Sequence, residues 1–200
     1  NNKNINISGN SIFNVSNPLY GAIRFDYIIN STINNNEIYN YSFAFNCINS
    51  YNITIKNNII KVYDKLIIYS DNCYVIFINN SANEIFGYQL SGGEAISILK
   101  YYLSTTINDQ NNNPIPNAIV TVYDNNKTIE WNLTTDSNGQ IINEPTIDYW
   151  RNSSTIYNHT NINITISAGS NYNTTSGITK MDTNKELTFI LSEIIPPPSI

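Results

Sequence analysis

Isoleucine and polar residues alternate along the first half of the chain, and the alternation comes in four copies. Ile5-Asn6-Ile7-Ser8-Gly9-Asn10-Ser11-Ile12 aligns with residues 31–38, 53–60 and 78–85. Each copy ends in Asn-x-Ile, at Asn10, Asn36, Asn58 and Asn83, with spacings of 26, 22 and 25 residues. Three residues before each Asn stand Ile7, Ile33, Ile55 and Asn80; five before stand Ile5, Ser31, Ile53 and Ile78. Apolar residues at period two form strands, and a unit repeating every 20–30 residues marks a solenoid. The pattern predicts a parallel β-helix of about four turns in which Ile columns fill the interior. The four asparagines are expected at one corner, where Asn tolerates a left-handed backbone and its amide can bond to the Asn one turn away.

The second half alternates differently. Ala118-Ile119-Val120-Thr121-Val122-Tyr123 reads as a strand, and residues 128–133 return after Asp124-Asn125-Asn126. Thr135-Asp136-Ser137-Asn138-Gly139 is a turn in which Gly supplies positive φ. Further strands are expected at Ile141-Ile142, 147–150, 161–167 and 186–191. About seven short strands with frequent turns predict a β-sandwich. The fold class is therefore all-β: a short parallel β-helix followed by an immunoglobulin-like β-sandwich. Residues 1–92 form the first part, 93–104 a junction, 105–192 the sandwich and 193–200 a Pro-rich extended tail or linker. In the junction, helical spacing (Ala95, Ile98, Leu99, Tyr102, Leu103) competes with alternation (Tyr101, Leu103, Thr105, Ile107), so a capping helix and a strand both remain open.

The ladder half resembles the right-handed parallel β-helix proteins, a broad group that includes pectate lyases and many archaeal and bacterial surface proteins. In the second half, Ile107-Asn108-Asp109, the run from Pro114 to Val122 and Thr135-Asp136-Ser137-Asn138-Gly139 resemble the carboxypeptidase-regulatory-like or transthyretin-like sandwich. Asn113 stands where that family often has Gly before Pro114. The resemblance implies a spacer or interaction module and brings no catalytic set with it.

Composition narrows the function classes. Charged residues make up only 12% and the net charge is −5, so nucleic acid is a poor partner: phosphate neutralisation needs clustered Lys and Arg. No stretch approaches the length of apolar residues that spans a bilayer. About one residue in five is Asn, a bias that AT-rich coding explains for the most part. Twelve Asn-x-Ser/Thr sequons occur, at Asn6, Asn14, Asn30, Asn40, Asn52, Asn79, Asn126, Asn132, Asn152, Asn158, Asn163 and Asn173. N-linked glycans are expected there, and no other cofactor. The start inside a ladder unit and the closing Pro196-Pro197-Pro198 read as a piece of a longer secreted protein.

Cys47 lies eleven residues before Asn58 and Cys73 ten before Asn83, at nearly the same point of successive turns. Stacked turns bring equivalent Cα atoms within disulfide range, so a Cys47–Cys73 bridge is expected; two stacked reduced thiols are the alternative. Five residues after each ladder Asn come Val15, Tyr41, Tyr63 and Tyr88, a column that can pack between turns or offer a platform to sugar rings. The acids and bases of this half (Asp26, Glu37, Asp64, Asp71, Glu84, Arg24, Lys56, Lys61, Lys65) are not forced together by the ladder, so no enzyme and no metal site is expected. His159 is read as a surface residue, Asp136 as a turn-former rather than a calcium ligand, and Trp131 and Trp150 as sandwich core. The expectation is an extracellular, glycosylated structural or adhesive protein resembling archaeal adhesin-like surface proteins. It would be a filament or stalk subunit, with copies of itself or other surface proteins as partners and possibly glycans. A carbohydrate-binding or polysaccharide-degrading module is the alternative.

Overall fold

The computed structural model describes residues 2–13, 21–62, 65–69, 71–82, 89–90, 94–152, 155–159 and 161–195. It is all-β, and it divides into two compact units: residues 1–100 with 149–157, and 101–148 with 158–200.

The first unit is a stack of rungs. The first rung comprises β1 (Asn2–Lys3), β2 (Asn6–Ser8), β3 (Ser11–Phe13) and β4 (Ile23–Asp26). The second comprises β5 (Ile28–Asn34), β6 (Glu37–Tyr39) and β7 (Phe43–Ile48). The third comprises β8 (Ser50–Lys56), β9 (Ile59–Lys61) and β10 (Lys65–Tyr69). The fourth comprises β11 (Cys73–Ile78), β12 (Ser81–Ala82) and β13 (Gln89–Leu90), and β14 (Ala95–Asp109) follows. Like strands pair in parallel into three sheets. Sheet one holds β1 and β2, then β5, β8, β11 and β14; sheet two holds β3, β6, β9 and β12; sheet three holds β4, β7, β10 and β13. The junction is thus strand: β14 begins at Ala95 and pairs with β11.

Side chains of like register stack along the interior. Ile7, Ile33, Ile55, Phe77 and Leu99 form one column, and Ile12, Ile38, Ile60 and Ala82 another. Ile33, Ile38, Ile53, Ile55 and Ile60 are buried, each contributing roughly 2 kcal/mol of apolar burial. Phe45 sits between Phe25 and Phe77, with ring centroids 6.1 and 6.4 Å away.

The second unit is a two-layered sandwich. It adds β15 (Ile119–Tyr123), β16 (Ile129–Thr134), β17 (Gln140–Arg151), β18 (Ile156–Asn158), β19 (Asn161–Ser167), β20 (Thr175–Lys180) and β21 (Lys185–Leu191). The two strands expected at Ile141-Ile142 and 147–150 are one strand, β17; its Tyr149–Arg151 end and most of β18 belong to the first unit. An antiparallel sheet runs β16-β15-β19-β20. Its inward positions Val120, Val122, Ile162, Ile164 and Ile166 form one core with Leu103, Ile107, Ile141, Met181 and Leu191. The period-two burial of β19 follows from its sequence, Ile at every second place between Asn and Thr.

Three turns of this unit share one construction. Asp109, Asp124 and Asp136 each accept two backbone N–H groups on Oδ1, from the second and fourth residues beyond: Asn111 and Asn113, Asn126 and Thr128, Asn138 and Gln140. The residue between those donors and at the fourth place of the turn has positive φ: Asn112 at 63°, Lys127 at 67° and Gly139 at 71°. Asp136 is thus a turn-former here, as its sequence context predicts.

Candidate functional surfaces and the disulfide staple

The ladder exists, with one member exchanged. Asn10, Asn36 and Asn58 stack as expected, but the next amide is that of Asn80; Asn83 lies outside the described residues. Asn10, Asn36 and Asn58 each donate Nδ2 to Oδ1 of the Asn one rung on, at 3.0, 3.1 and 2.9 Å, and their backbone N–H groups go to the same oxygens. From the second rung onward the amide also reaches back to a carbonyl of the preceding rung: Asn36 to Ile7, Asn58 to Ile33, Asn80 to Ile55. The register follows the core. With Asn80 in line, Val75 and Phe77 fill the apolar columns; alignment on Asn83 would have placed Asn80 itself in the Ile column. The Asn-x-Ile motif misleads because the fourth rung carries Ala82 where the others carry Ile.

The left-handed residue is also one place earlier than the ladder. Gly9, Asn35, Asn57 and Asn79, each directly before a ladder Asn, have φ of 68, 53, 55 and 48°. A second such column holds Asn4, Asn30 and Asn52. Among the described residues, eleven of thirteen non-glycine positions with positive φ are Asn, so the Asn bias has a conformational use at the corners.

Cys47 and Cys73 are joined by a disulfide with Cα atoms 6.3 Å apart. They do not occupy equivalent points of successive turns. Cys47 lies in sheet three, opposite Phe25 and Tyr69, while Cys73 lies in sheet one, opposite Ser50 and Ala95. The bridge therefore crosses between two sheets through the solenoid core, where both residues are buried.

Of the sequons, Asn6, Asn30, Asn40, Asn52, Asn126, Asn132, Asn158 and Asn173 are exposed, Asn79, Asn152 and Asn163 are half-buried, and Asn14 lies outside the described residues. Of the tyrosine column only Tyr41 is described; Val15, Tyr63 and Tyr88 lie outside the described residues. Asp64 and Glu84 do so too, and Arg24 pairs with Asp26 at 2.8 Å on the surface.

His159 is buried, not on the surface. Its Nδ1 lies 3.0 Å from Oδ2 of Asp124, and its backbone N–H donates to the Asp148 carbonyl at 2.7 Å. Asp124 thus holds a turn with one oxygen and His159 with the other. Trp131 packs half-buried on the sandwich core and donates Nε1–H to Thr146 Oγ1 at 3.0 Å. Trp150 instead stacks on Tyr157, ring centroids 3.9 Å apart.

An open groove on the outer face of sheet one escaped sequence reasoning. Its volume is about 550 Å³, and it is lined by Tyr51, Asn52, Asn72, Cys73, Tyr74, Glu94 and Ile96. Ile29, Tyr51 and Ile96 share an outward column with Tyr74, one per rung. The outward alternation of β11 and β14 presents Tyr74 and Ile96, but Tyr51 shares the parity of inward Ile53 and Ile55, so alternation alone places it in the core.

No protein-family model matches the sequence, and no curated protein matches it. Among solved structures the chain is similar to the Klebsiella pneumoniae 5-hydroxyisourate hydrolase, at 16% identity and TM-score 0.35, over 46% of this chain and 89% of that one. It is similar to the Bacillus anthracis TIE protein at 13% identity and TM-score 0.31, over 48% and 18%. It is similar to a minor pilin of the Gram-positive pathogen Streptococcus agalactiae at 16% identity and TM-score 0.32, over 56% and 53%. The chain thus spans about half the length of the pilin and under a fifth of the TIE protein. Among the described residues, no helix is long and apolar enough to cross a membrane.

Proposed function

We propose that this chain is an extracellular, glycosylated structural element of a surface stalk or filament, without catalytic activity, whose modules link end to end. The observation that carries the reading is the disulfide between sheets one and three. Such bonds persist in oxidising compartments outside the cytosol, and this one closes a 26-residue loop inside a stack already tied by hydrogen-bonded amides. Eight exposed sequons fit a sugar-coated surface in which few charges are needed for solubility.

Two measurements test the reading. Electron micrographs of the native material should show thin filaments or stalks at the cell surface, containing this chain; a uniformly monomeric protein in the cytosol would overturn it. In single-molecule pulling, the oxidised chain should release its solenoid late, and reductant should lengthen the released contour by about 90 Å, the span of 26 extended residues. An unchanged contour would remove the staple from the mechanism.

A further inference from the structure

The groove on sheet one has the chemistry of a saccharide site. Tyr51 and Tyr74 line it, and an aromatic ring face is a surface against which the C–H face of a pyranose packs. Asn52, Asn72 and Glu94 surround them with amide and carboxylate groups that pair with sugar hydroxyls. At about 550 Å³ the volume lies within the range of small-ligand sites.

One of the lining residues is itself a sequon. Asn52 precedes Ile53 and Thr54, and it is exposed. A bulge presents it: Cys73 pairs with Ser50 and Val75 with Ile53, so Tyr51 and Asn52 together face the single residue Tyr74. Asn52 has φ of 56°, and a bulge re-aims the side chains it carries. Its Nδ2 already donates to Asn30 Oδ1 at 2.7 Å, which fixes the amide plane. An N-glycosidic bond replaces one hydrogen of Nδ2 and leaves the other for Asn30.

We propose that Asn52 carries an N-linked glycan whose first sugars lie in this groove, on Tyr51 and Tyr74. This rests on the extracellular, glycosylated reading above and names the site where sugar and fold meet. In the modification, Nδ2 of Asn52 forms a bond to the anomeric carbon of an oligosaccharide. The donor is a lipid-linked glycosyl diphosphate presented by the cell's transferase; the bond from anomeric carbon to phosphate breaks, the lipid diphosphate leaves, and Nδ2 loses one proton. The groove then needs no outside ligand, because the chain supplies its own. Packing the sugar covers the exposed ring of Tyr51 and the outer side of the bulge, directly above the Cys73 end of the disulfide.

The test uses the full chain secreted from a eukaryotic host that adds high-mannose glycans. Glycopeptide mass spectrometry should find Asn52 occupied. Under native conditions an endoglycosidase should release the Asn52 glycan about fivefold more slowly than the glycan of exposed Asn173, a factor one ring contact supports. Tyr74→Ala should abolish the difference. Tyr51→Ser, at the more exposed ring, should reduce it and serves if Tyr74→Ala fails to fold. Occupancy of Asn173 with Asn52 bare overturns the inference while the glycosylated-surface reading stands; no glycan at any sequon overturns both. Equal release rates at the two sites overturn the docking. So does binding of free chitobiose by an Asn52→Gln chain with an undifferentiated release rate in the parent, which would assign the groove to an external saccharide.

Discussion

Asn36 sends its backbone N–H and its Nδ2–H to the same atom, Oδ1 of Asn58, at 2.9 and 3.1 Å. One oxygen on each rung thereby closes the corner of the rung before it. Because both residues are buried, removing Asn58 leaves the Asn36 backbone N–H without its acceptor and takes a donor from the Ile33 and Lys56 carbonyls, while the Asn36 amide keeps Ile7 and Asn34. Asn58→Ala should destabilise the solenoid by about 3 kcal/mol, the sum expected for several buried groups left without partners. Asn10 is exposed and receives no such bonds among the described residues, so Asn10→Ala should cost about 1 kcal/mol or less. Urea unfolding midpoints of the two variants give the comparison; equal losses would mean the ladder is ornamental to stability.

The disulfide closes a 26-residue loop between sheets. A chain-entropy treatment of a loop that long gives about 3.5 kcal/mol of stabilisation. Cys47→Ala with Cys73→Ala should lower the urea midpoint accordingly, and reductant should do the same to the parent but leave the double variant unmoved. If the parent is indifferent to reductant, the bridge adds nothing to the native state.

Asp109 holds its carboxyl below the usual carboxylate range, chiefly through the Asn113 side-chain amide and then the Asn113 backbone N–H, against the upward push of burial. A folded value below the unfolded one, about 3.9 for Asp, stabilises the fold at pH above that value. The contribution is lost as pH falls through the depressed folded value. Asp182, lowered first by Lys185 and then by Lys180, acts in the same direction. The sandwich should therefore lose stability as pH falls below about 4, and Asp109→Asn should flatten that fall. Unfolding midpoints at about pH 6 and pH 2.5 decide it: an advantage of the parent over Asp109→Asn that is as large in acid as at neutrality would contradict the assignment.

These residues also show where the sequence speaks and where it falls silent. Ile33 and Ile55 announce the solenoid because burial on one face imposes period two, and that constraint is written residue by residue. The fourth rung is harder to read: Phe77 and Val75 preserve the apolar columns, but Ala82 breaks the Asn-x-Ile motif, so motif and core disagree about whether Asn80 or Asn83 stands in line. The core decides, because a polar amide in the Ile column costs more than a motif departure gains. Cys47 and Cys73 were legible as neighbours by spacing alone, but not as residues of different sheets, since spacing along the chain does not say where each corner falls. His159 reads from sequence as a surface residue and is buried, because its burial depends on Asp124, thirty-five residues away, presenting its second carboxylate oxygen from a turn. The Tyr51–Tyr74 groove depends on a bulge, a one-residue offset between strands that only pairing reveals.

Gly9 and Gly139 have nearly the same φ, 68° and 71°, and opposite surroundings. Gly9 heads the corner column that continues with Asn35, Asn57 and Asn79, and a Cβ there would meet nothing within 4 Å. Gly9→Asn should therefore be tolerated or slightly stabilising, by up to about 1 kcal/mol from reduced freedom of the unfolded chain. Gly139 fills the turn position that Asn112 and Lys127 hold in the other two Asp-led turns, so its φ alone does not demand glycine. Its Cβ, however, would stand 2.5 Å from the Ile107 carbonyl oxygen and 3.1 Å from the Ile115 nitrogen. Both are backbone atoms of the sandwich core and cannot swing aside: the Ile107 oxygen accepts from Ile115 N–H at 2.9 Å, and Ile107 N–H donates to the Gly139 carbonyl at 2.8 Å. Gly139→Asn should cost about 3 kcal/mol or more, in the range of overpacked core sites. Thermal unfolding of the two Asn variants should thus separate them in opposite directions from the parent; equal tolerance at both positions would show that close approach does not fix glycine at position 139.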